Sequence, residues 1–125
     1  MLKILLVDDD PELCGLWEGI LQKHGGGRLS VETFTDADAA LRRFGPDVGL
    51  LLLDWHLPGR DGKELLAAAR QKGIAAQRII IFSGSSSRDL HENFPMGDCL
   101  AVLNKGDTTQ RAILLKIVDE ALQGG

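Results

Sequence analysis

No stretch of these 125 residues approaches the run of about 18 apolar side chains that a membrane span needs. The apolar stretch behind Met1 is also too short for the hydrophobic region of a signal peptide with its flanks. Excess positive charge is lacking as well: 14 Lys and Arg stand against 18 Asp and Glu, for a net charge of −4. That balance leaves no electrostatic footprint for nucleic acid and no basic cluster for anionic lipid. Any effect on DNA would need a partner or another domain to make the contact. Cysteine is scarce, with Cys14 and Cys99 far apart and without metal-ligand spacing. They read as two buried thiols of a cytosolic protein. Internal repeats and low-complexity tracts are missing, apart from Gly25-Gly26-Gly27 and Ser85-Ser86-Ser87.

What remains is the balance of a globular chain: 44% apolar and 26% charged residues, with few aromatics at 5%. Global disorder is excluded by that composition. The length suits one domain over 1–125, able to bury well over half of the surface its unfolded chain exposes. A soluble, cytoplasmic protein is the expectation.

Five short apolar runs recur, each followed by a segment of helical period. Leu2 to Val7 is unalternated and ends in Asp8-Asp9-Asp10; a run apolar on both faces suits a parallel strand covered by helices on each side. Asp10-Pro11 has the form of an N-cap followed by proline at the first helical position. Leu13, Leu16, Trp17, Ile20 and Leu21 then make an inward helical stripe, closed by the glycine triplet. Further strands are expected over 28–34, 48–53, 78–82 and 100–103. The spacing predicts helices from about residue 35 to Phe44, over 61–72 with Leu65, Leu66 and Ala69 inward, and over 107–122. That last helix would bury Ile113, Leu114, Ile117, Val118 and Ala121. Between strands four and five, Pro95 limits any helix to about 86–95, short or irregular. Strand and helix alternate five times, which defines an α/β class: a single three-layer (βα)5 parallel sheet, doubly wound by right-handed crossovers.

In such sheets ligands lie beyond the carboxyl ends of the strands. Strand one delivers Asp8 and Asp9 there, strand three Asp54, strand four Ser83, and strand five Lys105 just past Asn104. Leu50 to Leu53 is an unbroken apolar run that stops on Asp54 and is followed by Trp55, His56 and a Pro-Gly turn. Aspartate is seldom buried without a partner. Three gathered carboxylates repel one another, and a divalent cation removes the conflict. Hard oxygen ligands favour Mg²⁺, or Mn²⁺, over zinc. A lysine and a hydroxyl beside them form a clamp for the oxygens of a phosphoryl group.

The segments ILLVDDD, LLLDWHLPGRDG, IIIFSGS and LNKGD stand in that order, each at a strand end. Together they resemble the response-regulator receiver domain, the phosphoacceptor of two-component phosphorelays, over essentially the whole chain. The resemblance implies the strand order 2-1-3-4-5, which periodicity alone does not supply. It implies Asp54 as phosphoacceptor from a phosphohistidine on a sensor histidine kinase or a histidine phosphotransfer protein. Asp9 matches a direct Mg²⁺ ligand, Asp8 a ligand acting mostly through water, and Asp54 itself contributes to the ion. His56 matches the position whose backbone carbonyl completes the coordination. Ser83 matches the hydroxyl that moves toward the phosphoryl oxygen, and Lys105 the ammonium that pairs with it. The chemistry implied is that of a signalling phosphoacceptor, with self-phosphotransfer and autodephosphorylation, rather than of a turnover enzyme.

Three positions depart from the family pattern. Gly106 follows Lys105 where proline is usual, Val102 stands where a switch aromatic is common, and Pro95 and Gly97 fall in the segment before strand five. Phosphorylation reads as intact, and its readout as non-standard. The alternative is a pseudo-receiver, a phosphorylation-independent interaction module. A phosphohydrolase of the haloacid-dehalogenase type fits poorly, because Asp8-Asp9-Asp10 runs into Pro11-Glu12 and the chain is too short for a cap domain. Asp10 reads as a helix-terminus acid, His24 and His91 as solvated, Trp17 as core and Trp55 as a rim residue. Downstream partners would be another protein or an effector domain in a longer regulator, with a phosphorylation-dependent homodimer through the final helix as a further option.

Overall fold

The computed structural model describes residues 1–55, 57, 62–83, 100–104 and 108–124, with backbone alone at Ser83, Asn104, 108–110 and Gly124. In chain order the elements are β1 (Leu2–Val7), α1 (Pro11–Gly25), β2 (Leu29–Phe34), α2 (Ala37–Arg43), β3 (Leu50–Asp54), α3 (Gly62–Gln71), β4 (Ile79–Ser83), β5 (Ala101–Asn104) and α4 (Thr108–Gly124). All five strands are parallel, in the order β2-β1-β3-β4-β5. The expected helix over 86–95 lies outside the described residues.

Alternate side chains of each strand go to opposite faces, and each face has its own core. Leu5, Val7, Leu51, Leu53, Ile79 and Ile81 pack with Ala40 and Phe44 of the α2 side and Leu65 and Ala69 of α3. Ile4, Leu6, Leu50, Leu52, Ile80 and Phe82 pack instead with Cys14 and Leu21 of α1 and Leu114 and Val118 of α4. The central strand β3 is buried along its whole length, as a strand covered on both faces must be.

The helix starts follow from side-chain caps. Asp10 accepts from the backbone N–H groups of Glu12 at 3.0 Å and Leu13 at 3.4 Å, with Pro11 at the first helical position. Asp36 does the same for Asp38 and Ala39 of α2. Gly26, at φ +60°, ends α1 with a backbone conformation that favours glycine.

Three strands end one residue later than their apolar runs do. The backbone ladder continues past the last hydrophobe, pairing Asp54 with Phe82 and Ser83 with Asn104. The helical stripes are also corrected: Leu16 is 53% exposed and Ile113 48% exposed. The arc of α1 that meets the sheet is centred on Cys14 and Leu21; at about 100° per residue, Leu16 stands about 160° from Cys14 and about 140° from Leu21, on the far side of the helix. His24 is not simply solvated. Its Nε2 lies 2.8 Å from Asp119 Oδ1 and joins the C-terminal end of α1 to α4.

Candidate functional site

Val7 stands opposite Leu53 in the β1/β3 register, so Asp8 and Asp54 reach the carboxyl edge of the sheet at one level. Asp8 follows Ile4 and Leu6 in the strand alternation, and Asp54 follows Leu50 and Leu52. Both carboxylates therefore issue on the α1/α4 side of the sheet. Each residue is only 3% exposed, and they are the buried acids among the described residues.

The backbone around Asp8 is held in three ways. Its N–H donates to Phe34 O at 3.0 Å, extending the pairing with β2. Its carbonyl accepts from Cys14 Sγ at 3.4 Å, and its Oδ1 accepts from Asp10 N–H at 3.0 Å. The chain thus turns sharply after Asp8 and carries the exposed Asp9 back over the edge. One carboxylate oxygen each from Asp8, Asp9 and Asp54 can be chosen so that all lie within 4.8 Å of one another.

Like charges at that separation repel one another, most strongly between the two buried carboxylates. Oxygen ligands around Mg²⁺ sit about 2.0–2.1 Å from the ion, so any two of them stand about 3–4 Å apart. The acid cluster fits that spacing, with slack for a water at one position. An all-carboxylate donor set also suits a hard divalent cation rather than zinc.

The residues after Asp54 are anchored on the opposite face. Trp55 N–H donates to Phe82 O at 2.8 Å. The half-buried Trp55 ring packs on the α2/α3 core, where Leu57 is also buried. Its seat exists because residue 62 is glycine: a Cβ there would run into the indole carbons. No sequence signal marks Gly62 for this role, nor Cys14 as a donor to the Asp8 carbonyl.

Ser83 lies one step beyond the Asp54–Phe82 pair, toward the same edge and opposite Asn104. Its backbone therefore brings residue 83 to the edge that carries the acids. His56 and Lys105 lie outside the described residues. A groove of about 910 Å³ opens at the other end of the strands, lined among others by Met1, Leu2, Lys3, Arg28 and Leu100. It is remote from the acid cluster, and the charge chemistry belongs to the carboxyl edge, not to that groove. At that far end Arg43 bridges Glu32 and Asp47, each at 2.9 Å. Hydrogen bonding to Arg43 holds the Asp47 carboxyl down at about 2.

A parallel 2-1-3-4-5 sheet with three acids gathered at its carboxyl edge defines a signal-receiver type of α/β domain. Comparison with known proteins agrees. A family model of the response regulator receiver domain matches residues 4–116. The transcriptional regulatory protein CpxR of Escherichia coli K12 is 41% identical over 71 residues, covering 57% of this chain and 29% of CpxR. The chain therefore spans well under two thirds of that relative. A sensor protein from Polaromonas sp. JS666 superposes with a TM-score of 0.78 at 23% identity, covering 98% of this chain and 97% of the other. The response regulator protein TrrA from Thermotoga maritima, solved in complex with Mg²⁺-BeF, gives 0.75 at 24% identity over 94% of this chain and 99% of its own. These two likenesses speak for the fold. The chain belongs to the response regulator receiver domain family.

Proposed function

We propose that this receiver takes a phosphoryl group from a phosphohistidine onto Asp54, in a Mg²⁺-dependent reaction, and returns to its resting state by hydrolysis. The observation that carries the reading is the convergence of Asp8, Asp9 and Asp54 within 4.8 Å, with Asp54 buried at the end of the central strand. A carboxylate is a poor nucleophile toward an anionic phosphorus centre unless charge is neutralised. Asp8, Asp9 and Asp54, with the His56 carbonyl, would hold Mg²⁺, which supplies that neutralisation when bound. The Mg²⁺-BeF complex of TrrA supports the same reading for this chain.

An Asp54 carboxylate oxygen forms the new bond to phosphorus while the phosphorus–nitrogen bond to the donor imidazole breaks. The electron pair returns to the ring nitrogen. Lys105 and the Ser83 hydroxyl stabilise the transferred oxygens, and the buried setting of Asp54 limits the access of water to the acyl phosphate. The donor is a sensor histidine kinase or a histidine phosphotransfer protein, acting in the cytoplasm. The product acts on a downstream protein or on an effector domain of a longer regulator.

Intact mass after incubation with acetyl phosphate and Mg²⁺ tests this. One added phosphoryl group is expected, lost with EDTA and in Asp54→Asn. No adduct under any of these conditions would leave a phosphorylation-independent binding module as the better account.

A further inference from the structure

We propose that Trp17 reads the phosphorylation state of Asp54 through Phe82 and carries it to Arg111 on the surface of α4. This rests on the reading of Asp54 as phosphoacceptor. Asp54 and Phe82 are cross-strand partners, and Phe82 O accepts from the N–H of Trp55, the residue next to Asp54. Any displacement of the β4 end is therefore felt at Phe82. The Phe82 side chain, 5% exposed, enters the α1/α4 layer. There its ring centroid lies 5.8 Å from that of Trp17, at an interplanar angle of 40°. The guanidinium carbon of Arg111 lies 5.7 Å from the centroid of the same Trp17 ring.

Three residues from β4, α1 and α4 thus make a continuous contact from the level of the acids to solvent. The half-buried Trp17 stands in the middle and the exposed Arg111 at the outer end. A 40° tilt lies between the offset-stacked and edge-to-face arrangements that aromatic pairs prefer, so the pair can turn either way without losing contact. A cation over an indole is held by the ring quadrupole and follows the ring. Residue 83 shares a peptide unit with Phe82. Phe82 is also the direct cross-strand partner of Asp54, so a displacement at residue 54 acts on the Phe82 backbone and its ring.

Among the described residues, the opposite face offers no such aromatic chain. Val102, 8% exposed, pairs with Ile81 and is packed into the α2/α3 core, where a β-branched side chain has little freedom to swing. The aromatic contact from the level of the acids to solvent thus runs through the α1/α4 layer.

The test uses the full chain as Trp55→Phe, which leaves Trp17 as its tryptophan. Intact mass and emission are followed in the same sample on addition of acetyl phosphate and Mg²⁺. Wild type compared with Trp17→Phe yields the same difference if Trp55→Phe takes up no phosphoryl group. The expected result is a Trp17 emission shift that grows with the adduct and decays with its hydrolysis. Phe82→Leu should abolish the shift, and Arg111→Gln, at an exposed position, should reduce it while the adduct still forms. An adduct without a Trp17 shift, or a shift unchanged in both variants, overturns the proposal and leaves Asp54 as acceptor. No adduct even on wild type overturns the phosphoacceptor reading and the relay with it.

Discussion

Asp8 and Asp54 leave adjacent strands at the same level, both almost fully buried, because Val7 and Leu53 pair directly beneath them. Two carboxylates so placed repel each other, and the exposed Asp9 adds a third charge within 4.8 Å. The sheet holds them there by backbone pairing and by a hydrogen bond from Asp10 N–H to Asp8 Oδ1. The cluster thus gathers like charge that a bound cation would offset.

Asp8→Asn should stabilise the cation-free protein, since the amide oxygen can still accept from Asp10 while one negative charge is lost. Thermal unfolding in EDTA should show a rise of a few degrees, about what 1 kcal/mol produces in a domain of this size. Mg²⁺ should raise the wild-type midpoint and raise that of the variant less. Equal responses to Mg²⁺ would remove Asp8 from the cation site.

Asp10 is the third acid of its run but serves the helix. Asp10→Ala should cost about 1 kcal/mol, the usual loss for removing an N-cap, because Glu12 and Leu13 lose their acceptor. Mg²⁺ binding and phosphoryl uptake should persist. Urea unfolding alongside a Mg²⁺ titration separates the two effects.

Gly62→Ala tests the seat of Trp55. An alanine early in a helix ordinarily stabilises by about 0.4–1 kcal/mol. Here the added methyl meets the indole carbons, and such overpacking typically costs about 1–3 kcal/mol. The expected result is net destabilisation with a shift in Trp55 emission. A stabilised variant with unchanged emission would contradict the packing described.

Asp47 makes an acid-sensitive contact at the far edge. Hydrogen bonding to Arg43 lowers its carboxyl from 3.8 to about 2, and Arg43 is correspondingly raised. The folded value lies below the unfolded one, so this stabilisation is present above 3.8 and lost as pH falls toward 2. Asp47→Asn should lower the urea midpoint slightly at neutral pH, where the contact is present, and converge with wild type as pH falls toward 2, so that its own acid-induced fall is flatter. The effect is small and salt-sensitive, because the pair is exposed.

The apolar runs made the sheet legible from the sequence, since Leu50 to Leu53 can be satisfied only by helices on both faces. The acids were legible for the same reason: strand ends place Asp8, Asp9 and Asp54 on one edge of a parallel sheet. The strand order came with the family resemblance, and the registers came with the structure. Hydropathy could not tell Leu16 or Ile113 from their inward neighbours, because the apolar stripe of each helix is wider than the arc that the sheet covers. Contacts between distant residues, such as Trp17 with Arg111 and His24 with Asp119, have no local signature. His56 and Lys105 rest on the motif alone, and Ser83 on the motif and its place in β4.

The most direct test of the central claim is the site of phosphorylation. After incubation with acetyl phosphate and Mg²⁺, borohydride reduction converts an aspartyl phosphate to homoserine, which peptide sequencing by mass spectrometry locates. Homoserine is expected at position 54, Mg²⁺-dependent and lost in Asp54→Asn. Phosphorylation at Asp8, Asp9 or any other residue, with Asp54 unmodified, would contradict it.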